Sequence, residues 1–198
     1  MAGKDQDPQG EWEQLRPDAL LAIRGLADSL EVGDIPTQEL LDLYVYSKRV
    51  VAEVMGARFD MEFPGLSPEF HRLREDLSET MVSRYGGSVP APYLVVPYGS
   101  KVHEKLFHIL LQRFDTEVPA GLLRVPTRDS VHTERRVREL RELGLDIDTK
   151  KHSGIDTYRL CSLNLDFSLI PKIIFNTARD KKHSLISRAE LEKILKAG

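Results

Sequence analysis

Arg135, Arg136 and Arg138 fall close together in the short segment SVHTERRVRELRELG at residues 130–144. A guanidinium fork can donate to O6 and N7 of a guanine together, or to two oxygens of a phosphate. Val137, Leu140 and Leu143, with Val131 before them, recur at helical spacing and mark an apolar stripe. Arg135, Arg138 and Glu142 then fall on the opposite side. Arg128, Ser130, His132, Thr133 and Glu134 gather at the N-terminal end, where free backbone N–H groups can take a phosphate. After Gly144 comes LDIDTKKHSGIDTYRL, which reads as a hairpin with Lys150, Lys151 and His152 at its turn. Lysines at such a tip are placed for backbone phosphates beside a groove. Each half has a plainer reading. Glu134 with Arg138, and Glu139 with Arg135 and Arg136, could be helix-stabilising ion pairs, and lysine-bearing hairpins are common surface features. A basic helix followed directly by a lysine-tipped hairpin is the more specific pattern, and it points to duplex DNA.

Other chemistries find less support. Asp146, Asp148 and Lys150 give the Asp-x-Lys of a metal-dependent nuclease, but the same residues belong to the hairpin. Asp60 and Glu62 lie near an apolar stretch with no second motif beside them. The six histidines form no HExxH pattern, and His103 and His108 are five apart, off a common helical face. One cysteine, Cys161, excludes an internal disulfide framework and a multi-cysteine zinc site, and it fits a reducing cytoplasm. Read as a small buried residue, it has no activating histidine next to it. P-loop and GxGxxG motifs are absent, and no cofactor is implied.

The formal charge of −3 conceals an asymmetry. Residues 1–100 carry 9 Lys and Arg against 17 Asp and Glu, whereas 101–198 carry 19 against 14. A basic half beside an acidic one suggests a polyanion-binding part joined to a part with another task. Hydrophobic residues make up 41% and charged residues 30% of the 198, enough apolar material for a packed core. No apolar run approaches the ~20 residues that span a bilayer.

The elements that must hold these residues follow from periodicity. Residues 1–15 are polar and expected to be disordered. Pro17 and Asp18 open a helix with Leu20, Leu21, Ile23, Leu26, Ala27 and Leu30 on its buried face, stopped by Gly33. Thr37 caps a second, burying Leu40, Leu41, Leu43, Tyr44, Val50, Val51 and Val54 and ending near Gly56. A loop at 59–68 leads to a third helix that ends at Gly86 and Gly87. The proline-rich SVPAPYLVVPYGS is an extended surface connector. A helix at 101–114 carries Val102, Leu106, Ile109, Leu110 and Phe114. AGLLRVP supplies a short strand or a second helix. The basic helix spans about 131–143, and Gly144 terminates it. Strands cover 145–149 and 156–160. The tail ends in a helix capped by Ser187, with Glu190 three residues on.

RRVRELRELGLDIDTKKHSGIDTYRL resembles the N-terminal helix-turn-helix domain of biotin-protein ligase repressors, in which an arginine-rich helix runs into LRELGL and the wing ends in YRL. It is equally similar to the winged-helix segment of some bacterial HNH endonucleases. The resemblance implies that Thr133, Arg135, Arg136 and Arg138 face or flank DNA and that Lys150 and Lys151 form the wing. AGLLRVPTRDS departs from the usual second helix, and nothing after Leu160 resembles a ligase, effector or HNH module. The combined expectation is a mainly α chain, with an N-terminal helical unit and a C-terminal winged helix-turn-helix bearing a small β-hairpin wing. Its boundaries are a disordered 1–15, an acidic helical 16–99, a winged helix at 100–162 and an extension at 163–198. The expected function is double-stranded DNA binding, as a transcription regulator or the DNA-reading component of a mobile-element or defence system. A homodimer or protein partner would form through the N-terminal helices. The rival readings are a protein-interaction winged helix and a restriction-type nuclease.

Overall fold

In a computed structural model, residues 7–63, 65, 67–130, 132–179 and 185–197 are described. They form a mainly α chain with an N-terminal helical unit and one small antiparallel sheet in the C-terminal half. Among the described residues, no helix is long and apolar enough to cross a membrane.

Two compact units divide the chain. The first takes the described residues of Met1–Leu66 and Gly121–Thr133; the second takes Ser67–Ala120 and Glu134–Gly198. This differs from the expected acidic helical unit at 16–99 and contiguous domain at 100–162. The third helix belongs with the second unit, and the stretch ahead of the basic helix belongs with the first. Sequence order does not reveal that exchange, because both segments are amphipathic and either body could cover them.

In the first unit, α1 (Pro8–Val32) and α2 (Thr37–Glu62) are joined by four residues, which forces an antiparallel hairpin. Gly33, at φ 74°, supplies the left-handed residue that ends α1. Residues 8–15, expected to be disordered, are helical; residues 1–6 lie outside the described ones. Pro8 takes the first helical position, and Pro17 sits inside the helix rather than opening it. Trp12 and Leu15 extend an inward stripe with Ala19 and Ala22, and this packing offsets the hydrogen bond that Pro17 forfeits. Likewise α2 continues past Phe59 to Glu62, with Gly56 buried inside it.

The buried faces also differ from expectation. On α1 the seam is Leu15, Ala19, Ala22, Leu26 and Ser29; Leu20, Leu21, Ile23 and Leu30 are exposed. On α2 it is Leu40, Leu43, Ser47, Val50, Val54 and Ala57, and Leu41 and Tyr44 are exposed. Both stripes step by three and four residues, as helices crossing at a shallow angle require. Small side chains win the seam because they let the backbones approach. The Ser47 hydroxyl donates to the Ala22 carbonyl at 2.9 Å.

In the second unit, α3 (Pro68–Tyr85) and α4 (Lys101–Gln112) lie near their expected positions. The connector between them is not a surface strap. Val89, Tyr93, Leu94 and Val96 are buried, and the Arg74 guanidinium donates to the Val96 and Pro97 carbonyls. AGLLRVP yields the helix of the two candidate elements: α5 (Ala120–Arg124) opens it and from Gly121 belongs to the first unit, whereas the strand β1 (Val118–Pro119) precedes it. The basic helix is α6 (Thr133–Glu142), with Gly144 at φ 98° just beyond; Val131 lies outside the described residues. Then β2 (Asp146–His152) and β3 (Ile155–Ser162) pair antiparallel, and β1 joins the far side of β3, giving the order β1-β3-β2. Ser153 and Gly154, both at positive φ, make the two-residue turn. Lys150, Lys151 and His152 therefore belong to the end of β2, not to the turn. Two further helices, α7 (Ile170–Arg179) and α8 (Arg188–Ala197), follow, with the Glu190 N–H donating to Ser187 Oγ. Leu106, Leu110, Val118, Val137, Leu140, Leu160 and Ile174 are all fully buried in this unit.

Candidate nucleic-acid interface

The basic helix α6 has the two sides its spacing requires. Val137 and Leu140 are fully buried and Leu143 nearly so, while Arg135 and Arg138 are exposed. Glu139 is the surprise. Its carboxylate is buried and accepts from His103 Nε2 at 2.8 Å, Arg135 Nε at 3.0 Å and an Arg136 terminal nitrogen at 2.7 Å. A carboxylate can only accept, so His103 carries its proton on Nε2, and its Nδ1 is left to accept from Ser100 Oγ at 2.7 Å. This His103–Glu139 bond ties α4 to α6. Burial pushes His103 below its ordinary pKa against the opposing pull of Glu139. Burial also opposes ionisation of Glu139, but the hydrogen bonds from His103, Arg136 and Arg135 outweigh it and hold the carboxyl below its usual range.

The ion pairs named as the plainer reading of Arg135 and Arg136 are thus formed. They do not remove the arginines from solvent: the two side chains remain 62% and 40% exposed, with further N–H groups to give. Arg135, Arg138 and Arg179 line one polar cleft of about 280 Å³ with Tyr98, Glu139, Glu142 and Asn176. Tyr98, at φ 58°, donates its hydroxyl to Glu142 at 2.7 Å. Sequence reasoning missed Tyr98, Asn176 and Arg179. They come from 37 residues before Arg135 and more than 40 after it, and no local spacing signals that.

The wing residues separate by strand alternation. Lys150 and His152 share one face and both reach Glu117, at 3.5 and 2.9 Å; Lys151 is exposed on the other face. The hydrogen bond from His152, then that from Lys150, draws the Glu117 carboxyl below its ordinary pKa. Glu117, just ahead of β1, therefore neutralises part of the charge the sequence assigned to phosphate.

Four expected contact residues belong to the first unit. Arg128 is not a free cation: its guanidinium meets Glu11 at 2.7 Å, Glu53 at 2.6 Å and Asp60 at 3.7 Å. Burial disfavours its charge, but the Glu11 and Glu53 carboxylates more than compensate and raise its pKa. Arg128 and Asp129 are both at positive φ, an unfavourable geometry for such residues. The pair Lys48–Asp129, at 2.7 Å, helps hold the bend. Thr133 is buried, its hydroxyl within 2.7 Å of that of Thr127. Arg128 and Thr133 are structural here, whereas Ser130 and His132 are exposed.

The nuclease triplet does not assemble. Lys150 turns to Glu117, and Asp148 accepts from Arg159 at 3.0 Å, a bond that holds its carboxyl below the usual range. Asp146, Asp148 and Cys161 do approach one another within 4.8 Å, but both carboxylates are exposed. Cys161 is half-buried rather than enclosed. Asp60 faces Arg128, and Glu62 pairs with Arg58 at 2.9 Å, so the second acidic candidate is also structural. Compared with known protein families, with curated proteins and with solved structures, the chain matches none.

Proposed function

We propose that this chain binds double-stranded DNA, with α6 lying against a groove and the β2–β3 hairpin beside it as a wing. The observation that carries the reading is the order α4, β1, α5, α6, β2, β3 with the strands arranged β1-β3-β2. We read this order as that of a winged helix, with the exposed Arg135 and Arg138 on the outward side of its second long helix. Arg179 beside them adds positive charge to the same cleft. Arginines there would reach base edges or phosphates, and Lys151 with Lys150 would add backbone contacts. In a cell, this activity suits a transcription regulator or the DNA-reading part of a mobile-element or defence system.

One observation favours a second reading, a winged helix that binds protein: Glu117 already occupies Lys150 and His152. Salt separates the two. Four phosphate contacts give a slope near −3.6 in log–log form, so raising salt fourfold should weaken duplex binding about 100-fold. Anisotropy with a random-sequence labelled duplex at 50 and 200 mM salt (roughly the range over which counterion release acts) measures this. The double substitution Arg135→Ala with Arg138→Ala should abolish binding and leave folding cooperative. Weak binding that ignores salt, or full binding by the double variant, would overturn the DNA reading.

A further inference from the structure

One residue onward from each seam position of the α1–α2 hairpin lies a second apolar stripe. On α1 it is Leu20, Ile23, Ala27 and Leu30, after Arg16; on α2 it is Leu41, Tyr44, Lys48, Val51 and Met55, before Arg58. A step of one residue turns about 100° around a helix axis. Because the two helices run antiparallel, both turns are toward the same side of the pair. The two stripes therefore form one continuous face. Leu20, Ile23, Leu30, Leu41, Tyr44 and Met55 are each between 44% and 60% exposed. Of its three charged positions, Arg16 and Arg58 stand at the open end of the hairpin, Arg58 paired with Glu62, and Lys48, within the face, is paired with Asp129.

We propose that a second copy of the chain covers this face, so that two hairpins pack as a four-helix bundle. The stripes keep the alternation of three and four residues that the buried seam uses, so the missing layer is helical and nearly parallel to the hairpin. A two-fold axis supplies such a layer of matching length, because a face of this kind meets its own copy in an isologous interface. Between its two arginine ends the face carries only the paired Lys48, which gives a polyanion little to hold. Its exposed apolar area is on the order of 700 Å² per copy, or about 1,400 Å² for the pair, within the range of stable specific interfaces. An exposed patch that large exceeds what lone soluble proteins usually carry.

The full chain should sediment at twice its own mass at micromolar concentration, with or without DNA. Ile23→Glu combined with Tyr44→Lys should raise the dimer dissociation constant at least 100-fold, about 3 kcal/mol by the usual conversion. Leu21→Glu with Val45→Lys, exposed positions off the face, should leave it unchanged. A monomeric wild-type chain at 100 µM (about a hundred times a typical micromolar dissociation constant) overturns the proposal, as does a face variant that dimerises like wild type. If the face variant does not fold, the wild-type melting midpoint decides: it should rise with concentration, and a flat midpoint overturns the proposal. Mass is read independently of DNA binding, so the two proposals can fail separately.

Discussion

Glu139→Ala tests the central feature of the candidate interface, a buried carboxylate that gathers three donors. The loss is dominated by His103, which is 2% exposed and would keep an N–H with no acceptor. Leaving such a donor unsatisfied costs about 1–3 kcal/mol. The two arginine pairs are exposed on the arginine side and contribute only about 0.2–1 kcal/mol each. Lost packing of the Glu139 methylene adds up to about 0.8 kcal/mol. Relief of carboxylate desolvation opposes these terms, so the net destabilisation should be about 2–3 kcal/mol. For a chain of this length that is a fall of roughly 5–10 °C in melting midpoint. Urea unfolding followed by far-ultraviolet circular dichroism measures it. A double-mutant cycle with His103→Ala should return a coupling of about 1–2 kcal/mol. A loss under about 0.5 kcal/mol, which is the scale of an ordinary surface change, or additive single effects, would refute the buried-network account.

Glu117→Gln should release Lys150 and His152, tightening duplex binding and steepening its salt dependence; unchanged anisotropy titrations would count against a role for the wing. Arg128→Met leaves Glu11, Glu53 and Asp60 facing one another without a cation and should destabilise by about 1–3 kcal/mol, measured by urea unfolding. Stability should also depend on His103. Its folded-state pKa lies below the ordinary value, so the unfolded chain holds the proton more tightly. The contribution is then complete above about pH 6.5 and is lost as pH falls through that value toward the folded one. Melting midpoints taken across this range should drop on acidification, and His103→Leu should flatten the drop.

Local pattern was a sound guide where one stretch of chain decides its own structure. The stripe of Val137, Leu140 and Leu143, the stop at Gly144 and the hairpin after it are all legible, because 3.6-residue and 2-residue periodicities are properties of neighbours in sequence. Ser187 marks its helix start for the same reason. Periodicity succeeded only in part on α1 and α2, where two apolar stripes compete on each helix: Leu26, Leu40, Leu43, Val50 and Val54 lie on the seam as expected, but Leu20, Ile23, Leu30, Leu41 and Tyr44 do not. Leucine and isoleucine were the natural choice for the inside, yet Ala19, Ala22 and Ala57 took the seam. Hydrophobicity ranks side chains singly, whereas a close helix pair selects for size, and the choice depends on the partner's surface.

Charge is where tertiary structure had the last word. The arginines and lysines were visible as cations from the start, and so was the mainly α architecture with its hairpin. Whether each cation is available was not. Arg128 is met by carboxylates 117, 75 and 68 residues away in the chain, and Lys150 by Glu117, just ahead of a strand that is not its direct neighbour. An ion pair is fixed by distance in space, and its desolvation by everything packed around it. Sequence therefore determined which groups carry charge and which elements carry the groups, and only the fold decided which charges remain to meet a partner.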